Sequence, residues 1–492
     1  MSKKQKGIIL YFIILPFIDL ITALLTRFTD NFLSIGMLVK GITLIFIVIY
    51  SVFFSKSKYK RKTQIYYSLI LVFAIFYFLT KTSVWSLSFF VTELTYAFKF
   101  LYFPIMFLGL LNLFDDFKIE NKHIKKILFI NCIIYSLLLL IPLITGTSFD
   151  SYYNYRYKGY NGWFYAANET GIILTMLISS MYFLLDNNKK WKALFALPIM
   201  MSLTMIGTKV SFLGLICIIV LIMVKFIFKN KKNRFILPAI LLVFLILCSL
   251  KSPTISNFFT SIEDYTQPNE TIPIIPDNSE NDETNNKPEE LPNEPEDPVI
   301  PEEPITPEEP ITPEAPVVPE EPVTPEKPEE DTNKEEIKYK YNSLDDVTSN
   351  IIIKNILAVM LSGRENFFLK NYSIFSESGI VNILLGLGWV DRADINYIFP
   401  TKLIEIDFLD ILIHYGILGF IVYFLPLMIF ILKILKNIKR WKIETIFYIA
   451  VMALTLFISS ISGHALGAPA VSIYLILIMI IVENLINKPN QE

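Results

Sequence analysis

The chain reads as an all-α polytopic membrane protein of about 12 transmembrane helices, with a long extracytoplasmic loop before helix 10. Three observations predict this. Hydrophobic residues make up 53% of its 492 residues and charged residues only 18%, too apolar a balance for one large soluble core. Apolar runs recur between short polar breaks, and they are long enough to cross the hydrocarbon layer of a bilayer. The basic breaks fall on alternate sides of successive runs, as the positive-inside rule requires.

The runs lie near 7–27, 31–54, 65–81, 91–112, 126–145, 167–186, 193–207, 208–228, 235–250, 404–434, 443–461 and 468–486. The first follows MSKKQK and lacks a small-residue cleavage site, so it is expected to stay as a signal-anchor helix. The stretch 193–228 is too long for one span and is interrupted by Gly207-Thr208-Lys209, so it is split in two. The breaks SKSKYKRK, KIENKHIKK, DNNKKWK, KNKKNR and KNIKRWK are basic. With the N-terminus inside, all of them face the cytoplasm and both termini are cytoplasmic. Removing one middle span would place the later basic breaks outside.

Three regions follow. Residues 1–250 form a membrane domain with helices 1–9, residues 251–403 an extracytoplasmic loop, and residues 404–492 a membrane domain with helices 10–12. Within the loop, 267–336 is rich in Pro, Glu, Asn and Thr. From Pro301 to Glu330 it repeats PEEPIT, PEEPIT, PEAPVV, PEEPVT, PEKPEE. Proline every third residue favours polyproline II and the glutamates repel, so this is an extended tether without a core. A tolerated low-complexity insertion is preferred over a spacer within a wall polymer. Segment 341–403 is partly helical and carries site residues. Ile351–Leu361 reads as an amphipathic helix along the outer membrane face, closed by Gly363.

The formal net charge of −2 hides this segregation, and no nucleic-acid partner is expected. Cys132, Cys217 and Cys248 all lie in apolar runs, which excludes a disulfide framework and a metal spacing. His123, His414 and His464 lie far apart in the topology and form no metal cluster.

Polar groups concentrate in four outward-facing places. The first is Arg156 with Lys158, before GWFYAANETG; the second is Thr208-Lys209; the third is SGRENFF with Arg364. The fourth is TKLIEIDFLDILIHYGILGF, residues 401–420, with Glu405, Asp407, Asp410 and His414. Asp407, Asp410 and His414 stand at i, i+3 and i+7, one face of a helix. Charged groups beside a spanning helix are costly unless they face water, protein or substrate. Acids in a first helical turn also complement the helix dipole, and a lone Arg or Lys also reads as a headgroup contact. The whole set, followed by Gly416 and Gly419, reads as a site. His464, in SGHALGAPA, either lines the same cavity or serves the fold. Asn168 either binds sugar or caps the sixth span. Tyrosines of 152–165 either stack on sugar rings or form an interfacial belt.

These motifs, in this order, resemble the O-antigen ligase / O-antigen polymerase superfamily of bacterial membrane glycosyltransferases. Residues 156–171 are similar to its G-f-x-x-N-x-x-g pattern, GTKVSFLG at 207–214 to S-R-x-x-x-l-g, and SGRENFF at 362–368 to g-R-x-x-x-w. LGLGW at 385–389 is similar to its G-x-G turn. EIDFLDILIHYGILG at 405–419 is similar to H-N-x-x-L-x-x-L-x-x-x-G-x-x-G. The tether has no counterpart.

The resemblance implies transfer of an undecaprenyl-diphosphate-linked glycan to an acceptor glycan hydroxyl, on the outer face of the bacterial cytoplasmic membrane, without cofactor or metal. A departing diphosphate needs cations, and the acceptor hydroxyl needs a base or an orienting group. By motif match, Arg364 and Lys209 hold the diphosphate, with Arg156 beside them. Lysine at 209 departs from the family's arginine and loses the bidentate fork. Glu405 replaces the family's histidine, so Glu405, with Asp407 or Asp410, becomes the candidate base. The acidic tether and this replacement favour a capsule or cell-wall polysaccharide polymerase over a ligase. A lipid-linked saccharide flippase is the rival from another class. It predicts broken helices and internal repeats at the midplane, and no inverted repeat is evident. A scaffold whose tether binds partners leaves Arg364 and the acids unexplained.

Overall fold

Helices dominate the protein because its long apolar runs satisfy their backbone hydrogen bonds internally only as helices. The computed structural model describes residues 1–28, 35–81, 87–152, 156–180, 195–228, 236–266, 344–389 and 404–487. The tether 267–336 lies outside the described residues, as do 341–343 and 390–403 of the segment that follows it. Contacts join Met1–Glu280 and Tyr339–Glu492 into one helical body.

The order is α1 (Lys3–Phe28), α2 (Ile35–Ile49, continued by a π turn, Tyr50–Phe54), α3 (Lys60–Thr80), α4 (Leu87–Asp116) and α5 (Asn121–Thr145). A short antiparallel pair follows, β1 (Phe149–Asp150) and β2 (Tyr160–Gly162). Then come α6 (Ala167–Leu177), α7 (Ala196–Ile206), α8 (Lys209–Phe228), α9 (Ile236–Ser249) and α10 (Pro253–Thr266). After the tether come α11 (Ile351–Leu361), α12 (Arg364–Glu377), α13 (Ile380–Leu385), α14 (Asp407–Lys436), α15 (Ile443–Ser459) and α16 (Pro469–Asn487).

Among the described residues seven helices are long and apolar enough to cross a membrane, or eight if the pair Ala239–Ser249 and Pro253–Glu263, bent by 54°, is one span. Among the described residues a helix also lies within each other expected span: α6, α7, α9 and α15 are short, at 11, 11, 14 and 17 residues, and α8 has 20. The expected split of 193–228 is present: Gly207, at φ +88°, separates α7 from α8.

The core centres on α16, which packs on α4, α5, α6 and α15. Tyr474, Tyr135 and Tyr102 lie fully buried there. Lys40 pairs with Asp19 at 2.6 Å, and Tyr135 donates to Asp19 at 2.8 Å, so this ion pair is satisfied inside the bundle. Apolar side chains such as Ile42, Phe46, Val72 and Phe76 stay exposed, as expected of helix faces in contact with lipid tails.

The expected uninterrupted helix over 404–434 is not found. Gly416, at φ 68° and ψ −175°, breaks α14. The remaining 417–436 is still about 30 Å long, one bilayer core. The break frees carbonyls, and LGLGW takes them: Leu387 N–H donates to Ile413 O at 2.9 Å and Gly388 N–H to His414 O at 3.1 Å. A Cβ on Gly386 would stand 2.1 Å from His414 O, and one on Gly416 2.5 Å from Leu384 O. Only glycine allows this backbone approach, and both residues also need positive φ.

Candidate functional site

The α11–α12 turn is where two of the three predicted cations, Lys209 and Arg364, meet. Ser362 (φ 55°) and Gly363 (φ 88°) turn the chain between the two helices. Lys209, the first residue of α8, donates its Nζ to Val359 O and to Ser362 Oγ, each at 2.7 Å. A cation at the C-terminus of α11 also meets the negative end of its dipole. Arg364 opens α12, and its Nη1 donates to Leu361 O at 3.3 Å. Its Nη2 pairs with Glu405 Oε2 at 2.7 Å, with 12% and 15% of the two side chains exposed. The Arg364 Nε is buried with no hydrogen-bond partner.

Glu365 follows directly and is 7% exposed. Burial raises its carboxyl above the ordinary glutamate range, while bonds from its own and the Gly363 N–H and the nearby Arg364 and Lys209 charges oppose this. Its Oε2 is buried without a hydrogen-bond partner. Lys209 and Glu405, from other elements, thus join Arg364 and Glu365 in one cluster at the α11–α12 turn.

The 156–159 segment adjoins this cluster through α10. Asn257 accepts from Lys158 N–H at 3.0 Å and donates to Lys158 O and to Gly207 O, the latter at 2.9 Å. Thr254 Oγ1 accepts from Gly207 N–H at 2.9 Å. The turn that presents Lys209 is therefore held to the loop that carries Arg156. The Arg156 side chain itself is exposed. Asn168 lies in the first turn of α6, whose N-cap is Ala166, so of its two readings, sugar binding or capping, the cap falls to another residue.

The remaining acids hold the backbone around Glu405. Asp407 is 1% exposed. Its Oδ2 accepts from Ser459 Oγ (2.5 Å), Ala465 N–H (2.8 Å) and Leu466 N–H (2.7 Å). Its Oδ1 accepts from His464 N–H (3.0 Å) and Gly467 N–H (3.3 Å). Asp410 Oδ1 accepts from Ile404 N–H at 3.0 Å and stands 3.7 Å from His414 Nε2. Glu405 and His464 both adopt left-handed backbone, at φ 62° and 57°, which non-glycine residues occupy only when neighbours impose it. Asp407 and Asp410 are those neighbours. The expected common face of Asp407, Asp410 and His414 is thus divided: Asp407 serves the 464–467 loop, and Asp410 stands between residue 404 and His414.

Sequence reasoning did not single out Glu365, although it stands in the quoted SGRENFF. It also missed a buried polar network behind LGLGW. Lys81 donates to Gly386 O and to Asn382 Oδ1. Glu93 accepts from Trp389 N–H at 2.7 Å and from Tyr77 OH at 2.9 Å. His414 Nδ1 bonds Gly388 O at 2.7 Å, and its ring stacks on Trp389 at 3.7 Å. The only sequence signal for Lys81 and Glu93 was a lone charge near the end of an apolar run. Among the described residues no three His, Cys, Asp or Glu side chains gather as a metal site.

A family described as O-antigen ligase like membrane protein matches residues 2–487, nearly the whole chain. No curated protein and no solved structure matches it.

Proposed function

Since this chain belongs to the O-antigen ligase like membrane proteins, we propose that it transfers a glycan from a lipid diphosphate carrier to an acceptor hydroxyl. The proposal specifies undecaprenyl diphosphate as the carrier, the outer face of the bacterial cytoplasmic membrane as the place, and a capsule or cell-wall polysaccharide as the product. The family supports the coarser statement: a membrane enzyme acting on a lipid-linked glycan and an acceptor glycan. The observation that carries the rest is the meeting of Lys209 and Arg364 on one turn, beside two carboxylates.

The reaction breaks the bond between the sugar C1 and the diphosphate oxygen, which leaves with the electron pair. A new bond forms from the acceptor oxygen to C1, and the hydroxyl proton goes to a carboxylate. Arg364 and Lys209 stabilise the departing charge. Arg156, on the exposed loop nearby, reaches for the same anion. Glu405 holds the guanidinium until the diphosphate competes for its fork,. Because Glu405 is so engaged, Glu365 takes the role of proton acceptor, with an oxygen not yet bonded and an affinity for protons raised by burial,. Asp407 and Asp410 are positioning residues. His464 and Asn168 are proposed as cavity lining.

Polymerase and ligase differ only in the acceptor: another lipid-linked chain, or a different wall or lipid molecule. The family description favours keeping the ligase as the second reading. Gene deletion with analysis of lipid-linked and surface glycan separates them. A polymerase leaves single repeat units on the lipid and no surface polymer. A ligase leaves full-length polymer on the carrier. Glycan trapped on the cytoplasmic face refutes both and supports a flippase.

A further inference from the structure

A second basic site lies away from the Arg364 cluster, where residues 58–62, the last turns of α14 and the end of α16 come together. Lys58, Tyr59, Lys62, Lys433 and Asn487 line a cavity of about 260 Å³. Glu483, 3% exposed, organises it. Its Oε1 accepts from Tyr59 OH at 2.9 Å, from Asn487 Nδ2 at 3.0 Å and from Lys433 Nζ. Asn487 Nδ2 also donates to Tyr59 OH at 3.2 Å. On the other side, Asp115 accepts from Ser57 Oγ at 2.7 Å and from Lys58 N–H at 3.2 Å, and Asp116 accepts from Ser55 Oγ at 2.7 Å. The loop that presents Lys58 is therefore built, and both aspartates are engaged by its backbone and serines and, for Asp116, by the Tyr50 hydroxyl.

The charge balance decides what the cavity accepts. Glu483 answers Lys433, which leaves the exposed Lys58 and Lys62 as an excess of cations. The lining offers ammonium and amide donors, with its carboxylate buried behind them. The site also sits at the end of the spanning segment 417–436, the depth of lipid headgroups. Basic pockets between spanning helices at this depth suit phosphate-bearing headgroups. The sequence explains SKSKYKRK only as a topology signal, and the glycan chemistry uses none of it.

We propose that the cavity lined by Lys58, Lys62 and Lys433 binds a phosphate-bearing anion, in the form of an anionic phospholipid headgroup. Glu483 fixes Lys433, Tyr59 and Asn487 as a rigid floor. Lys58 and Lys62 close over the phosphate from the rim.

The test measures binding of headgroup-labelled phosphatidylglycerol to the purified full-length protein in neutral detergent. Unlabelled phosphatidylglycerol, phosphatidylcholine and inorganic phosphate serve as competitors. The readout is binding, so it stands whether or not glycan transfer is confirmed. Phosphatidylglycerol should compete and phosphatidylcholine should not. The double variant Lys58→Gln/Lys62→Gln should bind about thirtyfold more weakly, at roughly 1 kcal/mol for each charge. Both side chains are exposed, so the variant folds. Lys3→Gln/Lys4→Gln removes the same charge at the N-terminus and should bind like the parent. Displacement by phosphatidylglycerol alone supports a lipid site. Displacement by millimolar inorganic phosphate as well supports the phosphate site but overturns the lipid as its required source. Equal binding by the Lys58/Lys62 variant, an equal loss in the Lys3/Lys4 variant, or no preference over phosphatidylcholine overturns the proposal.

Discussion

Asp407→Asn separates a carboxylate that builds the site from one that does chemistry. The parent carboxylate accepts five hydrogen bonds, three at Oδ2 and two at Oδ1. Asparagine replaces one oxygen with an NH2 group, which is itself a donor. In its better orientation two buried N–H groups still lose their acceptor. Each such loss costs about 1–3 kcal/mol, so the variant should lose roughly 2–6 kcal/mol. The bonds that remain also lose their charge assistance, which puts the figure above the lower end. Ser459→Ala removes one donor and leaves the four backbone bonds, so it should lose about 1 kcal/mol. Thermal unfolding of purified protein in detergent, with abundance in the membrane fraction, reads both. We expect a large drop in melting temperature for Asp407→Asn and a small one for Ser459→Ala. A variant with the parental melting temperature and no transfer activity would refute this reasoning and return Asp407 to the chemistry.

Two further substitutions probe the site and its frame. If Glu365 accepts the proton, transfer in the parent rises with pH through a value above the ordinary glutamate range, because burial favours the protonated form. Glu365→Gln should abolish that limb and cost about 10²-fold or more in rate. Its stability at neutral pH should not fall: a buried carboxyl raised in the fold weakens folding as pH rises through its pKa, and glutamine lacks that cost. A Gln variant with the parental pH profile would exclude the role. Gly416→Ala forces a side chain into positive φ and against Leu384 O, so thermal unfolding should register a loss of more than about 1 kcal/mol. A neutral Gly416→Ala would mean that the break in α14 is not imposed by the LGLGW turn.

The family and the helical membrane body follow from features visible along the chain: apolar length, basic breaks and the order of short motifs. Arg364, Lys209 and Glu405 were identifiable as few charges in otherwise uncharged surroundings, and the structure brings them to one turn. What was hidden depends on backbone geometry. Asp407 looked like a reactive acid because its partners are mostly main-chain N–H groups, which every residue carries. Gly416 reads as part of a helix because an isolated glycine in an apolar run does not announce a break; the LGLGW segment that needs the break lies some thirty residues away. Lys81 and Glu93 find their partners about three hundred residues downstream, beyond any local pattern. Glu365 was passed over beside the more conspicuous Arg364, since burial and an unmatched oxygen are properties of the fold.

The most direct test uses purified protein with a glycan on a lipid diphosphate, an acceptor glycan, and Arg364→Ala and Arg364→Lys beside the parent. The account predicts product from the parent and at least about 10²-fold less from Arg364→Ala. Arg364→Lys should fall between them, because lysine keeps the charge but loses the fork. Parental rates in a correctly inserted Arg364→Ala protein would contradict the claim that this cluster carries the transfer.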